Sequence, residues 1–346
     1  MKLADFLKRH GKKLLGLLMV IILANAGAVV YLYKWMNDEG DNSDFAVQVP
    51  RLIEIKPGMT TFDIASLLHE KQLVKNPLNF RIEAKLSKQE TKLQTGIYQI
   101  NGGLSNREIL NILVQGQIML LQFVVPEGYN VNRIAQKLEA EGLCTAEKFR
   151  EAAKEFAPFE YMQTDNPDVI YKAEGFIFPA TYDFPVGLNE KEILGRMVEQ
   201  FDSEMHSSGV LARTRELGIK LSDVVNMAAM VELEAAYQEE QPVIAGVFAK
   251  RLQLGMPIQS DTTIQYILGF QKELVTFADT RIQNPYNTYQ NPGLPPGPIA
   301  SPGLSAIKAS LTPEDTDYLY FVAEKDGHHR FSKSYREHLR AIEDIG

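Results

Sequence analysis

The chain has 346 residues, 45% apolar and 23% charged, with a net charge of −8 and a single cysteine, Cys144. That length suggests two or more domains. The acidic balance, with no basic stripe beyond the N-terminus, argues against duplex nucleic-acid binding, and one cysteine excludes an internal disulfide or a zinc site built from several cysteines of this chain. Cys144 reads as a small packing residue.

Lys2, Lys8, Arg9, Lys12 and Lys13 open the chain, with Asp5 the one acid among them, and residues 14–33 follow without a charge. Twenty helical residues span roughly 30 Å, the thickness of a bilayer's hydrocarbon core. Tyr31, Tyr33 and Trp35 stand at the far end, where an interfacial aromatic belt belongs. The expectation is a cytoplasmic tail (1–13), a transmembrane helix (14–34) and export of the remainder, giving a single-pass protein of the cytoplasmic (inner) membrane. A cleaved signal peptide is the rival, with Ala24-Asn25-Ala26 as its cleavage pattern, but the apolar run continues past that point. Residues 35–48 include the acidic, turn-rich stretch NDEGDNSD and read as a linker, with structure beginning near Val47.

Residues 51–55 alternate like a strand and lead through Pro57-Gly58 to Thr60 or Thr61 as a helix cap, then to Phe62, Ile64, Ala65, Leu67 and Leu68 at helical spacing. The pattern returns seventy residues later: Gly58 matches Gly128, Ile64 matches Ile134, Ala65 matches Ala135, Leu68 matches Leu138 and Leu73 matches Leu143. The shared unit is strand, glycine turn, amphipathic helix. It resembles LysM-like glycan-binding modules, and equally a generic β-α unit, so the expected domains are a LysM-like module (49–120), a second related module (121–165) and a catalytic domain (166–346).

Between the copies, residues 97–100 read as a strand and 105–114 as a helix with a Ser105/Glu108 capping box. Residues 145–156, 190–206, 221–237, 242–254, 262–268 and 305–310 read as helices. EGFIFPATYDF (174–184) reads as loop or short strand, 318–323 as a strand, and Arg330-Phe331 as the start of another. The class is α+β, with a helix-rich catalytic domain and a small sheet.

The helix over 224–237 (VVNMAAMVELEAAY) is apolar nearly all round and therefore buried. Its inner polar residues are Asn226, Glu232 and Glu234, and buried carboxylates need a reason, commonly an ion pair. Two residues apart on a helix, Glu232 and Glu234 project about 200° from each other, so they do not share one cleft. Periodicity alone does not choose between them. Glu234 lies with Met227, Met230 and Val231, surroundings that favour a neutral carboxyl suited to general acid catalysis. Ordinary glycoside hydrolysis requires a second carboxylate, and Glu239, Glu240 and Asp261 are the nearby ones. With one carboxylate, a sugar hydroxyl replaces water as nucleophile. Downstream, 255–303 is dense in Pro and Gly, a rigid non-helical cover interleaved with Tyr286, Asn287, Thr288 and Tyr289, groups suited to sugars.

Taken together, AAMVELEAAYQEEQPVIAGVFAKRLQLGMPIQSDTTIQYILG, YNTYQNPGLPPGPIASPG and YLYFVAEKDGHHRFS resemble the YceG-like family of endolytic murein transglycosylases, and the likeness runs from about Arg51 to the C-terminus. The resemblance implies non-hydrolytic cleavage of the β-1,4 bond between N-acetylmuramic acid and N-acetylglucosamine in nascent peptidoglycan strands, leaving 1,6-anhydro ends and limiting strand length near the peptidoglycan synthases (penicillin-binding proteins). It implies no metal or cofactor. It assigns catalysis to Glu234 and cleft positions to Gln259, Ser260, Asp261, Tyr286, Asn287, Thr288 and Tyr289, with Glu232 nearby. Leu233, where a polar residue is more usual, and Thr262, where proline often stands, depart from the pattern. The alternatives are a hydrolytic muramidase using Asp261 or Glu239, and a non-catalytic peptidoglycan-binding scaffold that tethers a synthase complex.

Overall fold

The computed structural model describes residues 3–40, 42 and 50–345. Lys2, half of the expected linker and its boundary at Val47 lie outside the described residues. The chain forms two compact units, Met1–Leu120 with Pro185–Gly187, and Leu121–Phe184 with Leu188–Gly346.

The first unit begins with α1 (Leu3–Gly40). This helix covers the apolar run and continues into NDEG, the first four residues of the stretch expected to be linker, because none of them stops a helix before Gly40. Among the described residues, no helix is long and apolar enough to cross a membrane.

Strand β1 (Arg51–Ile55) pairs antiparallel with β2 (Gly96–Ile100), placing Ile53 opposite Tyr98. Helices α2 (Thr61–Glu70), α3 (Pro77–Leu86) and α4 (Asn106–Gln115) complete the unit. Ile53, Ile55, Ile64, Leu68, Tyr98, Ile109 and Leu113 form its core, as period-2 and period-3.6 patterning requires. Thr60 and Asp63 form a reciprocal capping box on α2, and Ser105 and Glu108 do the same on α4. Helix α3, absent from the sequence expectation, carries its own start signal: Asn76 caps it and Pro77 fills its first position.

The second unit opens with β3 (Leu120–Val124) and α5 (Val131–Ala140), seventy residues after α2 in step. Gly58 and Gly128 turn the chain at φ 86° and 74°, a left-handed conformation that glycine adopts without strain. Helix α6 (Ala146–Glu155), strand β4 (Thr181–Pro185, paired with β3) and helices α7 (Glu190–Ser207) and α8 (Val210–Leu217) follow. Next come α9 (Leu221–Glu234), α10 (Gln241–Gln253), α11 (Asp261–Leu268) and α12 (Leu304–Leu311). The antiparallel pair β5 (Tyr320–Ala323) and β6 (His329–Ser332) and the terminal helix α13 (Tyr335–Ile345) close the unit.

The second strand–turn–helix copy does not have a core to itself. Val131, Ile134, Ala135 and Leu138 of α5 pack in one continuous cluster with Val225, Ala229 and Met230 of α9 and Ala306 and Ile307 of α12. Helix α9 is the element around which this core is built, as its all-round apolarity requires.

Candidate active site

Helix α9 ends at Glu234, three residues earlier than the sequence pattern suggests, with Ala235 already extended (ψ 113°). The two glutamates therefore meet different partners. Glu232 Oε2 accepts the backbone N–H of Gly303 at 3.0 Å, and Gly303 is the residue preceding α12. A carboxylate at a helix N-terminus satisfies an otherwise orphan donor and opposes the helix dipole. Burial raises the Glu232 carboxyl above its ordinary range, the Gly303 N–H lowers it, and the charge of Glu127 raises it again. Glu232 is thus engaged in capping α12 through one of its two carboxylate oxygens.

Glu234 faces the loop before α11. Ser260 Oγ donates to its Oε1 at 2.5 Å and lies 2.6 Å from Thr262 Oγ1. Burial raises the Glu234 carboxyl, as does the charge of Asp261, while the hydroxyls of Ser260 and Thr262 and the nearby His329 pull it down; the net direction is up. Part of the residue remains open to solvent. A carboxyl kept protonated beyond its usual range, yet reachable from outside, is what a general acid requires.

Ser260 is held from three sides. Its backbone N–H donates to Thr288 Oγ1 at 3.0 Å, and its carbonyl accepts the Thr263 hydroxyl at 2.7 Å. The N–H of Gln259 donates to Thr288 O at 3.2 Å. Gln259 itself takes a left-handed backbone, φ 56°, unusual for a residue with a side chain. The strained residue sits where the chain turns Ser260 inward and leaves the Gln259 side chain exposed.

Of the residues expected to line the cleft, Gln259, Asp261 and Tyr289 remain at least partly accessible, and the Tyr289 hydroxyl donates to Asp261 Oδ1 at 2.6 Å. Ser260 is buried, its hydroxyl used on Glu234. The structure corrects the expectation for Tyr286, Asn287 and Thr288, which are 2%, 0% and 1% exposed. Asn287 Nδ2 donates to the carbonyls of Thr280 and Ile282, fastening the loop on itself. Tyr286 packs its ring against Tyr266, centroids 5.1 Å apart. Their physical role is to hold the loop, because a loop crossing a core must satisfy its polar groups internally.

A cavity of about 360 Å³ adjoins this centre, walled by Leu233, Thr262, Gln265, Tyr266, Asn130 and Arg133. Its link to the Glu234–Ser260 contact is Thr262, which lines the cavity and whose hydroxyl lies 2.6 Å from Ser260 Oγ. Asn130 and Arg133 come from the turn and first turn of α5, which brings the second module copy to the site.

Glu174 and Arg251 drew no functional reading from the sequence, and Glu240 stood there only as a possible second carboxylate. Glu174 is 1% exposed. It accepts Val131 N–H at 3.0 Å and the Tyr266 hydroxyl at 3.1 Å; burial pushes its carboxyl up to about 8, against the opposing pull of those donors. Its signal was a lone acid opening the aromatic run EGFIF. Glu240 binds both the backbone N–H (3.0 Å) and ring Nδ1 (2.7 Å) of His329. Burial acts to raise the Glu240 carboxyl, but the His329 and His328 hydrogen bonds outweigh it and hold it low. Arg251, 7% exposed, spends its guanidinium on the carbonyls of Leu319 and Ile258, both at 2.6 Å. Among the described residues, no group of His, Cys, Asp and Glu is arranged to hold a metal ion.

A model of the YceG-like family matches residues 53–344. An endolytic murein transglycosylase of Bacillus subtilis (strain 168) is 32% identical over 303 residues, covering 84% of this chain and 83% of the relative. One from Streptococcus pneumoniae (serotype 2, strain D39) is 30% identical over 318 residues, 84% of this chain and 57% of the longer relative. The crystal structure of a putative yceG-like protein from Listeria monocytogenes superposes with a TM-score of 0.59 at 29% identity, over 84% of this chain and 99% of that one.

Proposed function

This chain belongs to the YceG-like family, and from that premise we propose that it is an endolytic lytic transglycosylase of peptidoglycan with Glu234 as its catalytic acid and then base. Glu234 protonates the glycosidic oxygen between N-acetylmuramic acid and N-acetylglucosamine as that bond breaks. The resulting carboxylate then takes the proton of the muramic C6 hydroxyl as its oxygen bonds to C1. The product is a 1,6-anhydro end, formed without water. One carboxyl performs both transfers, so no second carboxylate has to flank the bond. The observation that carries the reading is the Ser260–Glu234 hydrogen bond on a partly accessible carboxyl, with a cavity linked to it through Thr262 and the other glutamate of the pair occupied by Gly303.

The same reading extends to the rest of the chain. The basic tail and apolar run support a single-pass anchor in the cytoplasmic membrane with the enzyme on the cell-wall side. The β1–α2 unit, with its glycine turn, supports a LysM-like glycan-binding role for the first unit. Cutting nascent strands near the membrane would limit their length and bring the enzyme close to the penicillin-binding synthases.

The test is a digest of purified glycan strands, read by mass spectrometry. Wild type should release anhydro-ended fragments, and Glu234→Gln should lose at least about a hundredfold in rate while keeping the fold and glycan binding. Reducing ends in place of anhydro ends would establish the hydrolytic alternative, with Asp261 as the second carboxylate. Undiminished product from the variant would overturn the assignment of Glu234.

A further inference from the structure

Two turns upstream of Glu234, α9 borders a larger cavity that the cutting site does not use. Its volume is about 670 Å³, within the range of small-ligand sites. Asn226, one of the inner polar residues of α9, lines it and is 5% exposed. Asn226 Nδ2 donates to Pro295 O at 2.7 Å, but its Oδ1 has no hydrogen-bond partner. A buried acceptor without a donor is uncommon in folded proteins, and this one belongs to a residue of the cavity wall. The rings of Tyr161 and Phe176 add apolar surface. Arg215 and Lys220 stand exposed at the rim, and among the described residues neither pairs with a carboxylate. Glu160 and Asp223, also exposed, give the rim the opposite sign as well.

We propose that this cavity binds the stem peptide of the glycan strand being cut, so that the enzyme reads the peptide as well as the sugar. The inference rests on the peptidoglycan reading above. The N-acetylated sugars of a peptide-substituted strand carry no charge of their own. The stem peptide supplies carboxylates for Arg215 and Lys220, an amine for Glu160 or Asp223, amide N–H groups for Asn226 Oδ1 and small apolar side chains for Tyr161 and Phe176. The reach is adequate. Eight helical residues separate Asn226 from Glu234, a rise of about 12 Å, and four extended peptide residues span roughly 13–14 Å. A peptide borne by the muramic acid at Glu234 is therefore long enough to enter.

The experiment compares the full-length protein on uncrosslinked strands that carry stem peptides and on the same strands stripped of peptide by an amidase. A parallel calorimetric titration uses a synthetic muramyl peptide as probe. Wild type should show a KM lower by about tenfold on peptide-bearing strands, the scale of one charge-assisted contact. The rim variant Arg215→Glu/Lys220→Glu should remove that advantage at unchanged kcat, leave peptide-free strands unaffected and abolish muramyl-peptide binding. Asn226→Leu should weaken the same binding; should it fail to fold, the rim variant, on exposed positions, still decides. Equal KM on the two substrates, an equal change on both in the rim variant, or no muramyl-peptide binding by wild type would overturn the proposal. A protein that cuts neither substrate but binds the muramyl peptide through Arg215 and Lys220 would refute the enzymatic reading and retain the pocket.

Discussion

The two strand–turn–helix copies are alike in backbone and unlike in surroundings. In the first, helix α2 is capped by its own Asp63 in an exposed box, and a side-chain atom added at the Gly58 turn would meet nothing within 4 Å. In the second, Asn130 caps α5 locally, but a remote buried carboxylate, Glu174, also accepts its first N–H. The Gly128 turn exchanges hydrogen bonds with Ser301: its own N–H donates to Ser301 O at 2.9 Å, and Ser301 N–H donates to Tyr129 O at 2.8 Å. A Cβ at Gly128 would lie 3.2 Å from Leu233, the neighbour of Glu234. The same local design is self-sufficient in one place and part of the catalytic framework in the other. What changed is which long-range groups use the turn.

The strongest way to break this comparison is to remove the two caps. Glu174→Ala leaves Val131 N–H and the Tyr266 hydroxyl without their acceptor in a buried site, a loss of about 3 kcal/mol. Asp63→Ala, at an exposed position, should shift the denaturation midpoint several times less. Equal shifts in urea titrations would show that the second copy is no more integrated than the first.

A pH series sharpens the same point. The Glu174 carboxyl in the folded protein titrates at about 8, against 4.5 as its ordinary value. A folded pKa raised in this way means that the folded state holds the proton more tightly, so the stability it contributes is present in full below about pH 4.5 and is lost as pH rises through about 8. The melting temperature of the wild type should fall across that window, and Glu174→Gln should flatten the fall. A wild-type profile that rises between these pH values would contradict the buried, proton-holding state of Glu174.

The smallest effect comes from the turns themselves. Gly58→Ala should cost about 1 kcal/mol for the left-handed backbone and leave kcat for glycan cutting unchanged. Gly128→Ala carries the same strain and also presses on Leu233, so kcat should fall by about tenfold through misplacement of Glu234. Matching losses of kcat in the two variants would separate the turn from the catalytic geometry.

What was legible in the sequence was the short-range part. The threonine cap of α2, the Ser105/Glu108 capping box, the two glycine turns and the apolar stripes of α2 and α5 each depend on residues within one or two helical turns. The roles of Glu232 and Glu234 were not legible in that way. Helical geometry separates the two side chains, but the partner that occupies Glu232 lies seventy-one positions away and the one that binds Glu234 lies twenty-six away. The composition of the Tyr286–Tyr289 run suggested a sugar-binding surface, yet Asn and Thr satisfy a buried loop as well as they satisfy a ligand, and here three of the four do the former. Helix α8 has no strong local start signal, since its N-terminal Gly209 offers no side-chain cap, whereas the terminal helix α13 carries a reciprocal Ser334/Glu337 capping box in the sequence S-Y-R-E.

Gln259 has a consequence for how such an enzyme changes under selection. Its left-handed backbone stores about 1–2 kcal/mol that a glycine would release. A search for heat-resistant descendants would therefore favour glycine at 259, and the same replacement would loosen the turn that aims Ser260 at Glu234. Position 259 would then be where durability and turnover are set against each other.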